Sequence, residues 1–202
     1  MTARPRIALI DYDAGNLTSV RKGFRAADAD LFTPASPAEL LGSAAIVVPG
    51  VGHFAATRAL TAEWVDTIRG EVDRGTPLLG ICLGLQWLFE ASAEAPELRG
   101  LGALPGRCTR LPPGQKVPHV GWNSLDVVAP SRLLAGVTPG AQVYFTHSYA
   151  APITRAAVAS TTHGVAFASV VEQGNVFGVQ FHPEKSSDTG IRILRNFVAM
   201  VG

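Results

Sequence analysis

Residues 76–90 read TPLLGICLGLQWLFE. The apolar run PLLGIC at 77–82 has the length of a buried strand, and beyond it Leu85, Leu88 and Phe89 fall on one face of a predicted helix. A strand that passes directly into a helix is the repeating unit of a parallel sheet covered by helices. Two earlier runs, RIALIDY at 6–12 and AAIVVPG at 44–50, extend the pattern. Between the runs, Leu17, Val20, Phe24 and Ala27 have helical spacing, and Phe54, Leu60, Trp64, Val65 and Ile68 suggest a second amphipathic helix. From about residue 99 Pro and Gly punctuate short segments: WNSLDVV at 122–128, QVYFTHSY at 142–149, GVAFASV at 164–170 and VFGVQF at 176–181. These are predicted as added antiparallel strands, in hairpins or a meander. A last helix is predicted over Ile191 to Met200, with Ser187 or Asp188 as its cap. The fold class is therefore α/β, with a mainly parallel central sheet, flanking helices and antiparallel strands in the second half. No repeat or linker divides the chain, so one domain over 1–202 is expected.

The 202 residues are 47% hydrophobic with a formal net charge of +1, enough apolar material for one filled core. No window reaches the roughly 18 apolar residues of a membrane span. MTARPRIALIDY enters its strand-like run without a signal-peptide apolar region, so a cytoplasmic chain is expected. The 17 basic residues are dispersed among 16 acidic ones, which argues against a nucleic-acid surface. A small-molecule or protein partner fits better. Two cysteines, Cys82 and Cys108, are too few for a disulfide scaffold, and in a reducing compartment a thiol is free for chemistry.

In Gly80-Ile81-Cys82-Leu83-Gly84 the glycines stand two residues either side of the cysteine. That spacing suits a sharp strand-to-helix elbow, in which the nucleophile takes a strained backbone conformation and larger neighbours would clash. The helix N-terminus would favour thiolate, and the Leu83 N–H would face an oxyanion formed by attack on a carbonyl. Taken alone, such a cysteine is a small core hydrophobe. Of the histidines at 53, 119, 147, 163 and 182, only His182 has a carboxylate two residues on, in GVQFHPEKS. Residues i and i+2 of an extended chain point the same way, so Glu184 can reach the His182 ring, and Pro183 marks a strand edge. In a parallel sheet, elbow and histidine can then meet at the C-terminal rim. The plain alternative is a surface ion pair. His147 competes as base but lacks the carboxylate and sits between Phe145 and Tyr149, as a half-buried structural histidine would.

GICLGLQ at 80–86 with HPE at 182–184 resembles the class I, triad-type glutamine amidotransferases. DYDAGNLTSV at 11–20, PGVGHF at 49–54, KVPHVGWN at 116–123, YFTHSY at 144–149 and GVQFHPEKS at 178–186 resemble, within them, the glutaminase subunits of imidazole glycerol phosphate synthase. The resemblance implies a flavodoxin-like fold and release of ammonia from glutamine. It also implies a heterodimer with a (β/α)8 cyclase subunit, which uses the ammonia in histidine biosynthesis. Cys82 would be the nucleophile, His182 the base and then acid, and Glu184 the orienting carboxylate. Oxyanion donors would come from Leu83 and from the Gly50–Val51 loop, whose amide the family implies is misdirected until the partner binds its nucleotide. Gly52, Gln86, His147, Ser148 and Tyr149 would bind glutamine. Pro118, His119, Gly121, Trp122 and Asn123 would face the cyclase.

Without that resemblance, PGVG is a tight turn, Gln86 a solvated helix residue, and Trp122 as readily a cover for its own core as an interface anchor. Cys108 is expected to be a packing residue. No cofactor is implied, and the histidines form no metal-ligand spacing. Two positions depart from the family pattern: His53, where a small residue is expected and loop movement could change, and Asp13, where glycine is commoner. Rival readings are another glutaminase such as that of pyridoxal phosphate synthase, a cysteine hydrolase acting on other substrates, and a binding module without activity.

Overall fold

In the computed structural model, which describes residues 5–201, the first half yields four short parallel strands: β1 (Ile7–Leu9), β2 (Leu31–Phe32), β3 (Ala45–Val48) and β4 (Leu78–Ile81). Helices α1 (Leu17–Ala26) and α2 (Ala62–Asp73) connect them, and α3 (Leu83–Leu88) follows β4 after a single residue, Cys82. The second half adds β5 (Phe89–Ser92), β6 (Leu104–Arg110), β7 (His119–Ser124), β8 (Asp126–Val127), β9 (Gln142–His147) and β10 (Tyr149–Ala150). It closes with β11 (Ala157–His163), β12 (Val165–Gln173), β13 (Val176–Val179) and α4 (Ser187–Ala199). The predicted domain range of 1–202 runs past the described residues at both ends.

The main sheet has the order β2-β1-β3-β4-β13-β12-β11-β8. Its first five strands are parallel and the last three antiparallel. The parallel part has the order of a flavodoxin-like sheet, with β13 as its fifth strand. Alternate residues serve opposite faces, as a two-residue period requires. Ile7, Leu9, Ala45, Val47, Leu79 and Ile81 pack with Phe24 of α1 and Ile193, Leu194 and Phe197 of α4. Ala8, Ile46, Val48 and Leu78 pack with Ile68 of α2 and Leu83, Leu85 and Leu88 of α3. Two small sheets, β10-β6-β5 and β7-β9, complete the fold.

Several predicted boundaries move. The segment expected as one helix from Phe54 to Ile68 is a 3-10 stretch, Phe54–Ala59, followed by α2. The helix after Cys82 ends at Leu88, because Phe89 pairs with Leu104 as a strand and its carbonyl accepts from Gly102 N–H. The last helix starts at Ser187, not Ile191. Its N-cap is Ser186, so neither Ser187 nor Asp188 caps it. Asp13 has φ 59°, the left-handed region that explains why glycine is commoner there. Strands β2, β5, β6 and β11 correspond to no strand predicted from the sequence.

The elbow depends on two glycines. A Cβ on Gly84 would lie well inside van der Waals contact of the Val48 carbonyl oxygen, and one on Gly80 would sit 2.7 Å from Gly84 backbone atoms. Gly84→Ala is therefore expected to lower stability by more than about 3 kcal/mol in urea unfolding. A loss below about 1 kcal/mol would mean that α3 does not pack against β3 as described.

Candidate active site

Strands β3, β4 and β13 are in register, Val48 opposite Gly80 and Val179 opposite Ile81, so their C-terminal ends share one rim. The residues that follow are Pro49–Gly52, Cys82 with Leu83, and Gln180–Glu184. Local sequence thus converges in space because three strand ends do. Cys82 has φ 54° and ψ −105°, an unusual conformation for a residue with a Cβ. It is pinned by its N–H donating to Val179 O at 2.8 Å, while its carbonyl accepts from Gln86 N–H at 3.2 Å. The sulfur lies 3.9 Å from Thr146 O, an acceptor, and 3.8 Å from Gln180 Nε2, a donor. Both contacts bridge distant parts of the chain, and neither Gln180 nor Thr146 was flagged by the sequence.

His182 Nδ1 lies 2.9 Å from Glu184 Oε1, and both side chains are only 3% exposed. The pair is buried rather than a surface ion pair. Among the described residues the His182 Nε2 has no nitrogen or oxygen partner, and the group it faces is the Cys82 side chain. Burial alone would lower the His182 pKa, but the Cys82 thiolate and Glu184 outweigh it and raise the value to about 10. A cysteine sulfur beside an imidazole that a carboxylate orients is an arrangement able to attack a carbonyl and move protons. Small residues admit the supports: a Cβ on Gly23 of α1 would stand 3.0 Å from Glu184 Cβ. Ser186 Oγ donates to His182 O at 2.6 Å and accepts from Tyr144 N–H at 2.9 Å.

The Leu83 N–H donates to Gly50 O at 3.2 Å, and the Val51 N–H donates to Ala14 O at 2.6 Å. The Gly50–Val51 peptide therefore presents its carbonyl, not its N–H, toward the start of α3. Gly50 leaves no room for a side chain: a Cβ would collide with the Tyr12 hydroxyl and lie 2.8 Å from Leu83 Cβ. Gly52 has φ 96°. His53 turns its exposed ring outward, where Nδ1 accepts from Ala55 N–H at 3.0 Å and caps the 3-10 stretch.

Cys82 and Leu83 line a cavity of about 290 Å³ together with Gly52, Gln86, His147, Ser148 and Tyr149. All five residues expected to hold glutamine thus share one wall system. Glu94, Thr146 and Pro118 also line it. Glu94 is the carboxylate of the set, and its Oε2 accepts from Phe54 N–H at 2.7 Å. Nothing in ASAEAPE singles it out as a pocket residue. Gln86 is buried, not solvated, and donates to Tyr149 O at 2.8 Å. His147 is buried rather than half-buried, and burial is the main cause of a pKa lowered to about 3. A larger hollow of about 390 Å³ lies between residues 136–141 and α4, lined by Arg192 and Arg195, and contains none of these groups.

Of the residues expected to face a partner, Trp122 is 53% exposed, Pro118 is exposed, and Gly121 and Asn123 are half-buried. His119 departs from that expectation. It is buried, stacked on Phe145 and His163, because residues of β7 alternate and Val120 and Trp122 take the outer side. Cys108 is fully buried, and burial pushes its thiol pKa far up, as befits a packing residue. Among the described residues no group of His, Cys, Asp and Glu side chains could hold a metal ion, and no helix is long and apolar enough to cross a membrane.

Comparison with known proteins gives the class first. The family described as glutamine amidotransferase class-I matches residues 8–201, and the chain belongs to that family. The fold agrees: a crystal structure of a glutamine amidotransferase superposes with TM-score 0.76 at 22% identity, over 96% of this chain and 98% of that one. The PurLQS structure from Thermotoga maritima gives 0.77 at 18% identity, over 99% and 100%. More particularly, the chain is 45% identical to the imidazole glycerol phosphate synthase subunit HisH of Methanothermobacter thermautotrophicus, over 96% of this chain and 98% of that protein. It is also 45% identical to the subunit of that name from Moorella thermoacetica, over 96% and 95%.

His147 has a folded-state pKa below its unfolded value near 6.5, so the folded chain binds fewer protons than the unfolded one. Its contribution to stability is complete above about pH 6.5 and is lost as pH falls toward about 3. In urea unfolding, the wild type is expected to lose about 2 kcal/mol more than His147→Asn between pH 7 and pH 5. Equal losses would contradict a buried neutral His147.

Proposed function

We infer that the chain is the glutaminase subunit of an imidazole glycerol phosphate synthase. It hydrolyses the side-chain amide of glutamine to glutamate and ammonia. The ammonia passes to a cyclase subunit, a (β/α)8 barrel, which forms imidazole glycerol phosphate and an aminoimidazole carboxamide ribotide in histidine biosynthesis. One observation carries the reading: the Cys82 thiol, at the wall of a cavity of amino-acid size, interacts with His182, whose ring is paired with Glu184 at 2.9 Å. Relatives 45% identical over 96% of the chain supply the particular synthase.

The chemistry follows from the groups present. Cys82 Sγ attacks the amide carbon of glutamine, and the carbonyl oxygen takes the negative charge of a tetrahedral intermediate. His182 gives its proton to the amide nitrogen, the C–N bond breaks, ammonia leaves, and a glutamyl thioester remains. Water then loses a proton to His182 and attacks the thioester, and collapse returns glutamate and the Cys82 thiol. Glu184 keeps the imidazole oriented through both proton transfers. In the cavity, the Glu94 carboxylate suits the α-ammonium of glutamine, and the His147–Tyr149 segment offers backbone to its α-carboxylate.

In the free chain neither backbone amide is available as an oxyanion donor, because Leu83 N–H is held by Gly50 O and Val51 N–H by Ala14 O. Turning the Gly50–Val51 peptide over releases the first N–H and aims the second at the same place. Both donors then act together, and each is worth roughly 3 to 4 kcal/mol in barrier height. Pro118, exposed and part of the cavity wall, and the exposed Trp122 on the strand that follows it suit the cyclase contact that drives this turn.

Glutamate release from glutamine should be weak for the chain alone and rise with the cyclase subunit and its nucleotide ligand, while Cys82→Ala abolishes it. Silence of the wild-type complex would contradict the glutaminase reading. Gly50→Ala, which loses glycine's freedom to cross between φ regions as the peptide turns over, is expected to lower release by the complex about 100-fold or more. Near-normal turnover would remove the loop from the mechanism.

A further inference from the structure

The histidines at 119 and 147 form a hydrogen-bonded line whose direction is set at both ends. His147 Nδ1 lies 2.9 Å from the Tyr149 carbonyl oxygen. That oxygen only accepts, so Nδ1 carries the hydrogen and the Nε2 of the neutral ring presents a lone pair. Its neighbour is His119 Nδ1 at 3.1 Å, which must therefore donate. His119 Nε2 is then an acceptor, and 3.3 Å away stands Asn123 Nδ2. The Asn123 amide cannot be reversed: its Oδ1 accepts from Ser124 N–H at 2.8 Å and its Nδ2 donates to Thr162 O at 3.0 Å.

The line is also clamped and kept neutral. The His119 ring lies between Phe145, 4.8 Å away, and His163, 4.1 Å away, and His163 Nε2 donates to Lys116 O at 2.9 Å. Burial is the main cause of lowered pKa values for His119 and His147, about 4 and about 3. At its inner end, the Tyr149 carbonyl receives both His147 and Gln86, while Leu111 N–H holds Ser148 O at 2.9 Å. The cavity wall at Ser148 and Tyr149 is thereby fixed. At its outer end, His119 and Asn123 belong to the strand that turns Val120 and Trp122, 54% and 53% exposed, toward solvent.

We propose that His119 and Asn123 are positioning residues for glutamine: they hold His147 as its Nδ1–H tautomer and so fix the Ser148–Tyr149 wall, in line with whatever packs on Val120 and Trp122. The proposal rests on the glutaminase reading for its ligand. Its tautomers do not, because the protein's own groups set them. A wall that is mispositioned weakens substrate and transition state alike, which raises KM and spares kcat.

The first test is a long-range 1H–15N correlation on the full chain labelled with 15N-histidine at pH 7, in the complex and alone. Nδ1–H tautomers at both His119 and His147 are expected. An Nε2–H tautomer at either overturns the proposal, whatever the kinetics. The second is glutamate release by the complex. His119→Phe keeps the ring stack but leaves His147 Nε2 unpaired, and should raise the glutamine KM roughly tenfold with kcat within about twofold. His119→Asn, which returns an N–H donor, should recover most of that loss. Should His119→Phe not fold, Asn123→Ala at the rim carries the same test, with a KM rise of about threefold. Unchanged KM in the folded variants overturns the proposal. Glutamine left intact by the wild-type complex, with the tautomers as stated, would instead overturn the glutaminase reading.

Discussion

In the free chain the backbone N–H of Leu83 donates to the carbonyl of Gly50, and the rest of the site is arranged around that hydrogen bond. One N–H serves one strong acceptor, so an oxyanion on the attacked substrate and the Gly50 carbonyl compete for it. Cys82, His182 and Glu184 are already in place. What the free chain lacks is a place for negative charge. On the proposed reading, that separation of the Cys82 group from an unfinished oxyanion site lets a subunit hold glutamine without wasting ammonia.

The competition is set by what holds the elbow and what holds the loop. Gly84 packs against Val48 and Gly80 against Gly84, which fixes the start of α3 to β3 and β4 and leaves Leu83 nowhere to move. The Gly50–Val51 peptide is held by two hydrogen bonds to backbone groups, and each is worth about 1 kcal/mol net. A contact at a partner interface easily matches that sum. Two buried histidines illustrate the same economy of environment. Burial lowers the pKa of both, but His182 faces Cys82 and Glu184 and ends high, whereas for His147 burial and the neighbouring imidazoles outweigh its bond to the Tyr149 carbonyl and it ends low. One is ready to carry a proton and the other stays neutral in the wall.

What was legible in the sequence was local. The glycines flanking Cys82 and the carboxylate two residues after His182 are geometric statements a few residues long, and the strand ends bring them together at one rim. Of the parallel strands, β1, β3 and β4 were legible for the same reason, each being an apolar run, whereas the two-residue β2 was not and β13, expected among antiparallel strands, also pairs in parallel with β4. The cavity was legible at Gly52, Gln86 and 147–149 only through the family resemblance. Glu94, Thr146 and Gln180 were missed because their contacts to Phe54 and Cys82 span 40, 64 and 98 residues, and nothing in their neighbours marks them. The helix after Cys82 stopped early because Phe89 could join Leu104, a pairing no helical periodicity reports. His119 was placed on the partner face because the loop is there, while strand alternation turns it inward.

The central claim is that the Gly50–Val51 peptide turns over to complete the oxyanion site. The most direct measurement is a crystal structure of the cyclase complex soaked with L-glutamate γ-semialdehyde, whose aldehyde carbon adds the Cys82 sulfur and leaves a tetrahedral oxygen. The account predicts that this oxygen sits within hydrogen-bond distance of both Leu83 N and Val51 N, with the Gly50 carbonyl turned away from α3. A tetrahedral adduct formed while Leu83 N–H still donates to Gly50 O would contradict it.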